Sequence, residues 1–145
     1  MQDVSGFGLI VNLVASVTFP AGLTLSAFAD DADPLDMPST QLKDKAVGLN
    51  GDMLIWSKPT AKVATLNLIP RSEDDDNMQV LAKANSASRG RRPVQDEITM
   101  TVTYPDGRVV RCVRGAITDA IIGDGVASAG RLKTKPYIFA FEEVL

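Results

Sequence analysis

The chain has 145 residues, 45% hydrophobic and 23% charged, with a formal net charge of −3 and no histidine. That length can bury roughly two-thirds of the surface of the unfolded form, so one core is expected, and the apolar share excludes a disordered chain. The negative charge argues against a surface built all over for nucleic acid, and the missing histidine removes Ser-His-Asp, Cys-His and histidine–zinc chemistry.

Residues 7–18 alternate with period two, Phe7, Leu9, Val11, Leu13, Ala15 and Val17 on one face, which predicts a strand with one apolar side. Asp3 is the only charge before Asp30, so the basic start of an export signal is missing despite the small residues at Ala27-Phe28-Ala29. The apolar run is also shorter than the ~20 residues of a membrane span. Pro20-Ala21-Gly22 reads as a turn and Leu23, Leu25 and Ala27 as the inward side of a second strand, making a hairpin.

Residues 29–51 form the longest irregular connection, with an edge strand expected over 41–47 before Gly48-Leu49-Asn50-Gly51. Strands follow at Met53–Ser57 and 61–69, the second with Leu66 and Leu68 inward. Ser72 as N-cap and four acids at Glu73-Asp74-Asp75-Asp76 predict a helix over about 73–86, with an apolar stripe at Met78, Leu81, Ala82 and Ala84. Ile98, Met100, Val102 and Tyr104 alternate up to Pro105-Asp106-Gly107 and a strand over 108–114, the clearest hairpin in the chain. A glycine-rich loop, 123–130, leads to a last strand over 137–144 with Tyr137, Phe139 and Phe141 on one face. About eight strands and one flanking helix give a mainly β fold: an antiparallel sandwich or barrel, as one domain over 1–145.

The constellations that could carry chemistry have plainer readings. Asp30, Asp31, Asp33 and Asp36 lack the ligand spacing of an EF-hand, since Leu35 fills a ligand position and Pro34 interrupts the loop. Asp74, Asp75 and Asp76 are explained by the helix start. Gly123-Asp124-Gly125 has no Gly-Lys-Ser/Thr ending and precedes a strand, so a flexible surface loop is expected. Cys112, the one cysteine, sits in an apolar strand pattern and reads as core. Arg89, Arg91, Arg92 and Arg131 belong to a basic C-terminal half, and no nucleic-acid motif accompanies them. If the acids of 30–36 and 73–76 lie opposite the bases of 89–135, copies of the chain would stack head to tail. Asp30, Asp31, Asp33, Asp36, Arg89, Arg91, Arg92 and Arg131 are thus candidate contacts between subunits; no catalytic, cofactor or metal residue is assigned.

Taken together, Phe19-Pro20-Ala21-Gly22, Phe28-Ala29-Asp30-Asp31-Ala32-Asp33-Pro34, Gly48-Leu49-Asn50-Gly51-Asp52, Ile55-Trp56-Ser57, Leu66-Asn67-Leu68-Ile69-Pro70, Ser72-Glu73-Asp74-Asp75, Tyr104-Pro105-Asp106-Gly107, Val126-Ala127-Ser128-Ala129-Gly130-Arg131 and Lys135-Pro136-Tyr137 resemble the tail-tube and tube-like baseplate proteins of contractile-tailed bacteriophages. That resemblance implies a non-enzymatic virion protein without cofactors. It would form a hexameric ring in the tail tube or at the baseplate where the tube begins, with neighbouring subunits continuing one inner barrel. The implied partners are the chain itself, adjacent rings, the tail sheath and the tape-measure protein, with DNA only as passing cargo and no membrane. Such a protein is assembled in the host cytoplasm. From the residues alone, the alternative is a monomeric β-sandwich binding a carbohydrate or a calcium-dependent partner through the Asp30–Asp36 loop.

Overall fold

A computed structural model describes residues 4, 6–30 and 32–145. Its strands are β1 (Ile10–Ala15), β2 (Phe19–Leu25), β3 (Leu35–Asp36), β4 (Lys43–Val47), β5 (Met53–Ser57), β6 (Lys62–Leu68), β7 (Ile98–Thr103), β8 (Val109–Ala120) and β9 (Lys135–Val144), with the helix α1 (Glu73–Ala84) between β6 and β7. Seven strands form one antiparallel sheet in the order β2-β1-β7-β8-β9-β6-β3, and β4 and β5 pair separately. Of the two expected forms the sheet takes the barrel-like one, curled into a half-barrel with one helix.

Alternation decides which face is buried. Val11, Leu13 and Ala15 of β1, Ile98, Met100 and Val102 of β7, and Tyr137, Phe139 and Phe141 of β9 all point into one core, with Ala64, Leu66 and Leu68 of β6 and Cys112 of β8. Met78, Leu81 and Ala82 of α1 close it. Burying Met78 and Leu81 stabilises the packed helix by roughly 1.5–3 kcal/mol each. No helix among the described residues is long and apolar enough to cross a membrane.

The first hairpin forms, but not where its glycine and proline suggest. β1 ends at Ala15, residues 16–18 make the turn, and Pro20-Ala21-Gly22 lies inside β2, where the pairing jumps from Leu13↔Leu23 to Ala15↔Phe19. Gly22, at φ 89°, takes the bulge. The turn is possible without glycine because Asp96 accepts hydrogen bonds from Val17 N (2.8 Å), Thr18 N (3.0 Å) and Thr18 Oγ1 (2.6 Å). Its second oxygen also accepts from Asn85 Nδ2 (2.8 Å) at the end of α1. Burial pushes the Asp96 carboxyl up, but the bonds from Thr18, Asn85 and Val17 outweigh it and hold it below the usual carboxylate range. Its contribution is therefore present at neutral pH and lost as pH falls through the folded value. Phe7 and Val17, expected inward, are exposed because β1 is shorter than the alternating run.

β8 is longer than the expected 108–114 because two bulges let it continue. Ile98 pairs with Gly115 while Met100 pairs with Cys112, leaving Arg114 extra at φ 52°; a second shift falls between Ile117 and Asp119. Bulges bend and twist a strand, which suits the curl of the sheet. After the first bulge Gly115 turns inward beneath the Phe141 ring. A Cβ there would overlap the Phe141 ring and stand 2.9 Å from the Ala140 carbonyl oxygen. Gly115→Ala is expected to lower stability by about 1–3 kcal/mol, read as a fall in the urea midpoint at unchanged slope. A midpoint equal to that of the parent would show that the ring is free to move aside.

Candidate functional site

Among the expected contact residues, Arg131 and Asp30 meet: Arg131 Nη2 lies 2.7 Å from Asp30 Oδ1. The Arg131 bond is the main reason the Asp30 carboxyl is held below its usual range. Asp31 lies outside the described residues. Asp33 and Asp36 are exposed; the Asp33 carbonyl accepts from Asn67 Nδ2 at 2.7 Å, and Asp36 pairs along the backbone with Thr65. No three acidic or cysteine side chains converge as a metal site among the described residues. Arg89, Arg91 and Arg92 sit on an exposed turn closed by Arg91 N on the Ser88 carbonyl (3.0 Å), and make no ion pair with a described residue.

Acidic and basic residues are less separated than the sequence suggests. Lys135, read from sequence as part of the basic half, is buried, its Nζ 3.3 Å from Asp75 Oδ2 and 2.8 Å from Asp124 Oδ1. Asp75, grouped with the helix-start acids, is buried as well. It accepts from Tyr137 Oη (2.6 Å) and Arg71 N (3.1 Å), while its own N–H reaches the capping Ser72 Oγ (3.1 Å). Gln79 Nε2 bonds both Tyr137 Oη and the Ile121 carbonyl at 2.7 Å. Burial would lower the Lys135 pKa, but Asp124 and Asp75 outweigh it and raise it; burial and Asp75 raise that of Tyr137. The glycine-rich loop is thus tied down at Asp124 and by Lys133 N on the Gly125 carbonyl (2.8 Å). Asp74 in turn accepts from Ser26 N and Ala27 N at 2.9 Å, which leaves Glu73 and Asp76 as the exposed acids of the helix start.

The most unusual surface is the β4–β5 hairpin. Cross-strand partners share a face, so Lys43/Ser57, Lys45/Ile55 and Val47/Met53 form one side, and Asp44/Trp56 and Ala46/Leu54 the other. Met53, Leu54, Ile55 and Trp56 are all exposed, and Leu49 at the tip is fully so. A strand apolar on both sides reads from sequence as one covered on both sides. Here neither side is covered within the described chain, and a lone two-stranded hairpin is at best marginal in water.

At the root of the hairpin a groove of about 910 Å³ crosses the sheet. Its floor is small, with Ala61, Ala116 and Ala140 beside Gly115 and Phe141. Ala116 and Ala140 pair directly across β8 and β9 on the side that faces away from the core. Sequence reasoning missed both surfaces. The unbroken run Met53-Leu54-Ile55-Trp56 was the available signal for the hairpin; the groove has none, because it arises from pairing between distant strands.

A sequence model of the family described as tail fiber protein gp32 matches residues 2–145. No curated protein matches in sequence. Among solved structures, a chain in the cryo-EM structure of the sheath/tube terminator of an extracellular contractile injection system, PVC, in its extended state, is similar at TM-score 0.55 and 10% identity. That match covers 100% of this chain and 96% of the other. A chain in the tube-terminating cap of the anti-feeding prophage gives 0.53 at 10% identity, with 100% and 91% covered. A chain in the six-fold symmetrised baseplate of that prophage gives 0.54 at 10%, with 100% and 95% covered. At this identity the likeness is one of fold.

The buried ion pair is open to a direct test. Lys135→Met strands the Asp75 carboxylate and is expected to cost about 3–5 kcal/mol in urea unfolding at pH 7, part of which returns when Asp75→Leu is added. Because the Lys135 pKa is raised, its contribution is present below the unfolded value of roughly 10.4 and lost as pH rises through the folded one. The gap between parent and Lys135→Met should therefore close only in strong alkali.

Proposed function

This chain belongs to the tail fiber protein gp32 family, and on that premise we propose that it is a non-enzymatic structural subunit of a contractile phage tail, built into a ring of the tube or of the baseplate where the tube begins. The observation that carries this reading is strand β5 of the β4–β5 hairpin, with large apolar side chains on both faces and neither face covered within the described chain, which calls for surfaces supplied by other subunits. A curled sheet without a sequence repeat suits a ring subunit better than a fibrous shaft, which is built from repeats. The fold shared with chains of tube-terminating and baseplate assemblies supports the same choice.

In this reading residues 1–145 act as one structural unit, six copies close a ring around a channel for DNA, and adjacent rings, the sheath and the tape-measure protein are its neighbours in the virion. Assembly takes place in the host cytoplasm. Asp33, Asp36, Arg89, Arg91 and Arg92 remain available to contact other subunits, whereas Asp30 and Arg131 reach them as an ion pair. No cofactor is involved.

Trp56 is the one tryptophan and is about half exposed, so its fluorescence reports on the hairpin. In dilute protein its emission should be that of a wet indole, open to quenching by iodide. As sedimentation shows growth to rings or tubes, with negative-stain images of the same samples, the emission should move to the blue and quenching should fall. A chain that stays monomeric at every concentration, and is absent from purified virions, sinks the proposal.

A further inference from the structure

We infer that the side of the β4–β5 hairpin carrying Lys43, Lys45, Val47, Met53 and Ile55 seats in the groove of a second copy of this chain, over Ala61, Ala116 and Ala140. This inference rests on the self-assembly proposed above and names the surfaces that make it.

The docking side carries apolar surface for a contact. Val47, Met53 and Ile55 on it, and Leu49 at the tip, are each more than half exposed. They leave on the order of 500 Å² accessible, and the exposed stems of Lys43 and Lys45 extend it toward the roughly 800 Å² per partner of a standard specific interface. The shapes fit too: the hairpin offers a ridge of large side chains, and the groove a floor of small ones. The groove cannot be filled by its own hairpin, since none of its lining comes from β4 or β5. An occupant from a second copy gives every chain one ridge and one groove, a head-to-tail contact that closes into a ring when the rotation allows.

Charge selects which side of the hairpin docks. Lys43 and Lys45 make no ion pair with a described residue, whereas Asp44, on the opposite side, lies 4.0 Å from Lys58 Nζ. At the groove Lys62 Nζ is held by the carbonyls of Thr60 (3.1 Å) and Glu142 (3.3 Å), and Arg114 is shared between Glu142 (2.9 Å) and Glu143 (2.6 Å). Asp96 is consumed by its four hydrogen bonds. Two positive charges, Lys62 and Arg114, thus stand against four negative ones, Asp96, Glu97, Glu142 and Glu143. Glu97 is exposed and makes no ion pair with a described residue. The docked pairing brings Lys45 to Glu97. Leu54 and Trp56, on the other side of the hairpin, stay open to a further contact.

Mixing two single variants of the full chain, one with Ile55→Cys and one with Ala116→Cys, tests the contact, because only a link between chains joins them. The native Cys112 is buried and its thiol pKa raised by burial, so it stays silent. A mixed disulfide dimer under mild oxidation, absent when Asp119→Cys replaces Ala116→Cys, is the expected result. Sedimentation of the same mixtures separates the two claims. Assembly without the cross-link overturns this docking and leaves the ring proposal standing, whereas no assembly of the parent chain overturns the ring proposal itself. As a second measurement, Glu97→Lys should weaken association about tenfold, and adding Lys45→Glu should restore it. Loss that the double variant does not recover overturns the charge pairing.

Discussion

The buried ammonium of Lys135 is the fastening on which the rest of the fold depends. It sits at the start of β9, the strand next to both β8 and β6, and reaches Asp75 in the first turn of α1. With Tyr137 bonded to the same carboxylate, the helix is fixed over the core at a defined height. Hydrophobic packing of Met78 and Leu81 supplies the gain but is not directional. The hydrogen-bonded charges are directional, and a shifted helix would strand them in a dry interior. Asp96 does the same work at the other end of the helix through Asn85 and the β1–β2 turn. With both helix ends tied, one side of the sheet is closed, and its opposite side and the separate hairpin are what remains for contact with other molecules.

How much of this was legible follows from the range of the determining contacts. The β7–β8 hairpin could be read because Ile98, Met100 and Val102 alternate and Asp106-Gly107 follows, with Gly107 at φ 92° and Tyr104 N bonded to the Arg108 carbonyl at 2.9 Å. The start of α1 could be read from Ser72, whose cap is local. Its end falls two residues before the expected 86, where Asn85 caps the helix and turns to Asp96. The β1–β2 turn was misplaced because its backbone N–H groups are satisfied by a carboxylate 78 and 79 residues away. The burial of Lys135 and Asp75 is illegible for the same reason: one reads as part of a basic half and the other as a helix-start acid, and burial of an ion is decided by a partner far along the chain.

The candidate contacts divide similarly. Arg131 and Asp30 lie 101 residues apart and no local pattern announces their pairing. Arg89, Arg91 and Arg92 could be recognised as exposed, since a turn with Gly90 at φ 72° carries them. For β5 the unbroken apolar run signalled burial on two sides, and within the described chain that burial is absent. The proposed docking would cover one of those two sides, that of Met53 and Ile55.

The exposed hairpin has a thermal consequence. Removing apolar surface from water is driven near room temperature by entropy and lowers the heat capacity, so contacts made by Leu49, Met53 and Ile55 strengthen on warming and loosen in the cold. An assembly joined through such a ridge would loosen on cooling, which makes chilling the mildest way to take it apart into subunits.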